Sequence, residues 1–355
     1  MILNSIDTQF KLAEDGTITW QRDLTDPRAG EAVAKIKKGE SVLAPSCDLL
    51  PANSTAEEDV VALQKFIEGW LHRHVQATLE PLFKLKEDDI AQGAPYEIAQ
   101  KLYEALGILP REELQDLIGA MDEDGRNTLR SKKIRFGPII VYLPELNKPA
   151  MVRLRALLLT LWQDKSLPAE APNDGIVSFS VEGKELDADY YRSIGYPIYG
   201  PRSIRVDMLD RLICRVYDSA DKGKFRAEHQ MAEWLGSNIP DLYAVLEAMG
   251  HKKIYDPADE VKEEELVSEE NSLEEKSEPI KEQVKPELAT FILKSNKSSK
   301  PKVENFKKKK DFKKKDKKSK NKFEPRQKIY TAEAETNPED NPFAVLQQLK
   351  SGNKE

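Results

Sequence analysis

The feature that most constrains this chain is the sorting of its charges after residue 255. Residues 256–288 carry 13 acidic side chains against 4 lysines, and residues 294–328 carry 17 Lys and Arg against 4 acids. Like charges at that density repel, and they leave too little apolar surface to offset the entropy of ordering the chain, so both blocks are predicted to be disordered. Only "ATFIL" at 289–293 interrupts them, enough for a marginal strand or turn. Because the blocks nearly cancel, the formal net charge of −7 over 355 residues says little about partners. A compact fold must come from what precedes them. The sequence divides into a small β-rich segment at 1–53, a mainly helical domain at 54–255, an acidic linker at 256–293, a Lys-rich arm at 294–328 and a tail at 329–355.

Patterning before residue 256 predicts a mainly α protein with a small N-terminal β-sheet (α+β), followed by the long disordered charged tail. "FKLAEDGTITWQ" reads as a hairpin around Asp15-Gly16, and "AVAKIKKGESVLAPS" as a second around Gly39. From Ser54 the period becomes helical: Ser54 and Glu57 form a capping box, and Val60, Leu63, Ile67, Leu71 and Val75 recur on one face to about Leu79, before Pro81. Pro95 opens the next helix and Gly107 stops it, and "PREELQDLIGAM" follows as another. "IIVYLP" is a short buried strand. "KPAMVRLRALLLTLWQ" is apolar around nearly its whole circumference except at Arg153 and Arg155, which places it in a core. An alternating "IVSFSVEG", the helix "DADYYRSIG", a kinked "YPIYGPRS" and three more helices carry the globular part to Tyr255.

Several activities lack their residues. Cys47 and Cys214 are far apart and form no C-x-x-C, which argues against a disulfide framework or thiolate metal site and fits a reducing compartment. His72 and His74 project roughly 200° apart on a helix and cannot face one metal, and His229 and His251 have no nearby partner, so no metal and no cofactor is expected. "MDEDGRN" at 121–127 resembles part of a calcium loop but lacks its closing glutamate; an Asp-rich helix start explains it better. No phosphate loop is present, since "EGKE" lacks its spacing and hydroxyl. The pair "HQMAEWLGSNIPDLYAVLEAM" has a helix-turn-helix outline around Ala232 and Gly236, yet its second helix carries Asp241 and Glu247 and no cation, so a packed helical hairpin fits better. The N-terminus has no basic, apolar leader and no run approaches a membrane span, so a soluble cytoplasmic protein is expected, with no membrane partner.

The chemistry points to the basic block. Lys307, Lys308, Lys309, Lys310, Lys313, Lys314, Lys315, Lys317 and Lys318 are interleaved with Phe312, and Phe306 and Phe323 flank them. Such an arm neutralises phosphates by counterion release while its rings stack on exposed bases, which suits sequence-independent binding of RNA or other single-stranded nucleic acid. A purely solubilising tail, or one folding back on the acidic block, remains the bland alternative. In the tail, Asn341 can cap a short helix opened by Pro342, with Phe343, Leu346 and Leu349 along one face; residues 341–350 read as an amphipathic docking motif for a partner or for residues 1–255.

Read together, "VRLRALLLTLWQ", "YYRSIGYPIYGPRSIRVDMLDRL" and "NPFAVLQQLK", with "IRFGPIIVYLPELNKPA" and "GESVLAPS", resemble the C-terminal, post-motor region of alphaproteobacterial superfamily-two RNA helicases related to the mitochondrial degradosome helicase. The resemblance extends over most of residues 10–255 and residues 341–350. Helicases of that family place a phosphate loop, a magnesium-binding acidic motif and motor arginines before this region, and none is in this chain, so no catalytic residue carries over. What the resemblance implies is a non-catalytic part that packs on a motor and helps enclose single-stranded RNA: a split half, a degenerate remnant or an excised portion. The expected partners are RNA and a separate helicase motor or RNA-degradation protein. Arg153, Arg155, Arg202 and Arg205 are the candidate phosphate contacts on the folded part, each of a type that also serves as a structural ion-pair partner. The competing function is a protein-interaction scaffold in RNA metabolism whose basic tail only solubilises or localises it.

Overall fold

The computed structural model describes residues 2–28, 30–51, 57–87, 89–90, 92–257 and 287–294. The first hairpin forms as its Asp-Gly turn dictates: β1 (Phe10–Leu12) and β2 (Thr17–Trp20) pair antiparallel, with Gly16 at φ +82° in a conformation a side chain would strain. β3 (Glu31–Ser41) and β4 (Ala44–Leu49) complete a four-stranded meander in sequence order. The second turn lies at Val42-Leu43, not at Gly39. Gly39 stays within β3, where a Cβ would stand 2.0 Å from the Ala44 carbonyl oxygen, so glycine lets the strands approach and the turn move outward.

One face of this sheet packs on α1 (Glu57–Thr78). Ile18, Val33, Ile36 and Cys47 meet Leu63, Ile67, Trp70, Leu71 and Val75 in one buried cluster, each large aliphatic side chain contributing about 1.5–3 kcal/mol. Across the junction Ser46 Oγ bonds Glu68 Oε1 at 2.8 Å, and the Gln64 amide donates to the Cys47 carbonyl. The boundary drawn at residue 53 therefore does not separate two domains.

A short α2 (Glu80–Phe83) leads to α3 (Ala94–Glu104), which carries Pro95 in its first turn. It stops where Gly107, at φ +87°, donates its N–H to the Leu102 carbonyl at 2.7 Å. α4 (Arg111–Ala120) and α5 (Glu123–Ser131) follow; Asp122 caps α5 by accepting from the Gly125 N–H at 2.8 Å, the role read from "MDEDGRN". β5 (Ile108–Pro110), β6 (Arg135–Phe136) and β7 (Ile140–Tyr142) form a sheet in the order β5-β7-β6. α6 (Pro149–Trp162) is buried on most sides, as its composition requires.

Beyond it, β8 (Ser178–Ser180), α7 (Ala188–Ser193), β9 (Ile198–Tyr199) and β10 (Arg202–Ile204) give a third sheet, ordered β8-β10-β9. α8 (Val206–Ser219), β11 (Lys224–Arg226), α9 (His229–Leu235), α10 (Ile239–Ala248) and β12 (Lys252–Tyr255) build a second core. Gly236, in a left-handed conformation at φ +57°, turns α9 into α10, and Ala232 is buried in their packing.

The globular part does not end at Tyr255. β13 (Thr290–Ile292) lies between β11 and β12, antiparallel to both, so the strand order is β11-β13-β12. Leu288, Ala289 and Phe291 are buried in the second core, and the ladder is extended by Ala227 N–H to Ala289 O and Leu293 N–H to Gly223 O, both 2.9 Å. The linker drawn over 256–293 thus closes on a core strand. Among the described residues helices alternate with four antiparallel sheets, so the fold is mixed α and β, with more sheet than one N-terminal meander. No helix among the described residues is long and apolar enough to cross a membrane.

Candidate functional site

Residues 1–255 carry 40 acidic against 32 basic side chains, a formal charge of −8, so a polyanion meets the fold favourably only where cations are grouped and unspent. The four arginines read as phosphate contacts test this directly, and the structure places them apart, each with internal partners.

Arg155 lies on α6 with a relative exposure of 0%. Its guanidinium donates Nη1 to the carbonyls of Leu106 at 3.2 Å and Ser193 at 2.7 Å, Nη2 to Leu146 at 2.7 Å and Ile194 at 3.0 Å, and Nε to Met151 at 3.4 Å. The carbonyls of Leu106, Leu146, Ser193 and Ile194 close the end of α3, the turn at Pro144–Asn147 and the end of α7, where helix geometry leaves acceptors without intrahelical donors, and that of Met151 lies one turn back on α6 itself. All five N–H donors of the fork are used. Burial pushes its pKa down to about 9, which still leaves a cation at neutral pH. Arg155 is a structural cross-tie and cannot touch a phosphate at the surface.

Arg202, on β10, is also buried: Nη1 pairs with Asp241 Oδ2 at 2.8 Å, Nε donates to Ser178 Oγ at 3.0 Å, and Nη2 reaches the Gly236 carbonyl at 3.4 Å. It fastens the β8-β10-β9 sheet to the α9–α10 turn. Asp241, whose charge argued against a recognition helix, is its counterion. Arg205, at the start of α8, grips Asp207 with Nε at 2.7 Å and Nη2 at 2.9 Å, and that carboxylate raises the arginine's pKa further. Arg153 alone is exposed, and it pairs with Asp174.

Arg153 does border a cleft of about 580 Å³, whose walls come from the β1–β2 turn (Leu12, Glu14), α1 (His74, Thr78), α6 (Leu154, Leu157) and the 169–174 loop. His74 stacks on Trp70, ring centroids 5.1 Å apart, and burial holds its pKa below 6.5, so the imidazole facing the cleft is neutral near pH 7. The lining offers a neutral imidazole, a carboxylate, a hydroxyl and a cation already neutralised by Asp174, a combination suited to a small, partly apolar group. Its contributors come from four separated segments, and only Arg153 and His74 stand out in the sequence. His72 projects into solvent on the same helix.

Of the lysine arm, only Lys294 is described: its backbone N–H donates to His251 Nδ1 at 3.1 Å and its ammonium reaches Glu112 Oε1 at 3.2 Å. Lys307–Lys310, Phe312, Lys313–Lys315, Lys317 and Lys318 lie outside the described residues, as do Pro342, Phe343, Leu346 and Leu349 of the terminal motif. No family model, no curated protein and no solved structure matches the chain.

Proposed function

We propose that this chain is a non-catalytic, RNA-binding and docking module of a cytoplasmic helicase system, corresponding to the mainly helical post-motor region of a superfamily-two RNA helicase without its ATPase motor. The observation that carries the reading is the density of lysines at 307–318, interleaved with Phe312, in a chain whose folded part is net acidic. The internal pairing of Arg153, Arg155, Arg202 and Arg205 supports a division of labour: the fold spends those cations on itself, and affinity for phosphate rests on the arm. The terminal motif with Phe343, Leu346 and Leu349 supplies the docking peptide for a motor or an RNA-degradation protein.

The same acidic surface favours a second reading, a protein-interaction scaffold in RNA metabolism with a tail that only solubilises or localises it. Binding of a fluorescein-labelled single-stranded oligouridylate, titrated over a range of salt, separates the two. The chain must be cut after Asn296, because a cut after Tyr255 would also remove β13. The RNA reading expects the full chain to bind with a steep salt dependence and the shortened chain to bind weakly with a flatter one; no binding by the full chain even at low salt establishes the scaffold reading.

A further inference from the structure

The cleft beside α6 has a polar wall and an apolar one, and both are held in place. On α1, His74 and Thr78 are four residues apart and so face the cleft together. On α6, Ala150, Leu154 and Leu157 recur at helical spacing and bring the apolar wall, which Ala171 and Pro172 extend along the loop. That loop is tied at both ends: the Tyr190 hydroxyl donates to the Glu170 carbonyl at 3.1 Å, and the Tyr196 hydroxyl to the Ile176 carbonyl at 2.8 Å. Leu167, just before it, closes on the β1–β2 turn, where a Cβ added to Gly16 would stand 2.6 Å from Leu167 Cδ1. A volume of about 580 Å³ between fixed walls is the size of a pocket for a small molecule, roughly 300–1,000 Å³.

The charges of the lining select the ligand. Arg153 and Asp174 pair with each other, and among the described residues Glu14 has no ion pair, so one negative charge is left uncompensated. His74 adds no charge near pH 7, and among the described residues its ring nitrogens have no hydrogen-bond partner. An anion would meet the Glu14 and Asp174 carboxylates, and a doubly charged cation would bring a charge that nothing in the lining balances. We propose that this cleft binds a small monoamine with an apolar body, its ammonium on the Glu14 carboxylate and its apolar part against Leu154, Leu157 and Pro172. An ammonium carries three N–H donors, and a neutral imidazole and a hydroxyl supply acceptors beyond the carboxylate. The site lies wholly within the folded part and does not rest on the RNA-binding reading.

The test titrates the full chain with 2-phenylethylamine, with 2-phenylethanol as the uncharged counterpart and phenylacetate as the anion, by calorimetry and by saturation-transfer NMR. The amine is expected to bind best, the alcohol next and the acid least. Glu14→Gln should weaken the amine roughly 2- to 5-fold and leave the alcohol unchanged, the range expected of an ion pair open to solvent on one side. Ala171→Trp fills the cleft from the loop and should remove binding of both. Ala13→Trp fills it from the β1–β2 turn and serves if the first tryptophan variant does not fold, which thermal melts show. Glu113→Gln, on α4, which adds nothing to the cleft, controls for net charge and should change neither ligand. No saturable binding of the amine, an alcohol that binds as tightly as the amine, or amine binding that persists in the filled variants each overturns the proposal.

Discussion

Replacing Phe291 by alanine probes how firmly the late strand belongs to the fold. Its side chain is 0% exposed; it stacks on Phe225 with centroids 5.6 Å apart and planes at 16°, and meets Tyr243 at 5.5 Å and 61°. Deleting a buried phenylalanine costs about 3–5 kcal/mol, and the two ring contacts, at about 0.5–1.5 kcal/mol each, place this site toward the upper half. That is a large share of the roughly 5–15 kcal/mol by which a whole domain is stable. β13 is also joined to the rest of the fold only through residues 256–289 in sequence, so the loss can appear as release of the strand before global unfolding. Urea unfolding followed by circular dichroism, with hydrogen exchange on peptides covering β11 and β12, separates the two. The expected result is faster exchange at Lys224–Arg226 and Lys252–Tyr255, with or without a lower urea midpoint. Ile292→Ala, on the outer face of the same strand, should cost below about 1 kcal/mol. If F291A and I292A agree within about 0.5 kcal/mol and exchange is unchanged, the placement of β13 in the second core is refuted.

Two further outcomes follow from the buried polar groups. Arg155→Met leaves the carbonyls of Leu106, Leu146 and Ile194 buried without a donor, each worth about 1–3 kcal/mol, and should lower the urea midpoint sharply, with Arg155→Lys recovering part of the loss; a fully stable methionine variant would show that the cross-tie contributes nothing. Burial, with the nearby Lys294 ammonium, holds the His251 pKa below 6.5, and burial does the same for His74. The unfolded chain therefore takes up protons that the native state refuses as pH falls below about 6.5: this stability is complete above that pH and is lost as pH drops toward the folded pKa values. The urea midpoint should be lower at about pH 5.5 than at about pH 7.5, and less so in His251→Asn; an unchanged or rising midpoint contradicts the burial of these rings.

The longer helices α1, α3, α4, α6 and α8 were legible because each is long enough for its apolar period to show, and end chemistry helped, such as Pro95 in the first turn of α3, Gly107 past its end and Asp122 capping α5, whereas the four-residue α2 was not read at all. The hairpin at Asp15-Gly16 was legible for the same reason. Gly39 misled because a glycine in a strand pattern serves a close backbone approach as readily as a turn, and only the position of Ala44 decides between them. Arg155 stood out as a lone cation on an apolar helix, but its role depends on carbonyls contributed by α3, α7 and the 144–147 turn, which no local pattern connects. β13 was read in part: "ATFIL" was expected as a marginal strand or turn, and the strand forms there, but its place in the core was not legible. Its few apolar residues sit between charged blocks, and its strength comes from partners near residues 225 and 253, so local composition read as linker what tertiary pairing makes core.

A central strand that arrives last also sets the order in which the protein can be completed during synthesis. β11 and β12 leave the ribosome well before Thr290–Ile292, and until then each presents an open edge and the second core lacks Phe291. Nascent chains therefore pass through a stage with two unsatisfied edges facing one gap, which a β-strand from any neighbouring chain can enter, and premature termination before residue 290 leaves them in that state permanently. The acidic run at 256–288 is translated during that interval, and its thirteen carboxylates make neighbouring incomplete chains repel one another while the gap is open.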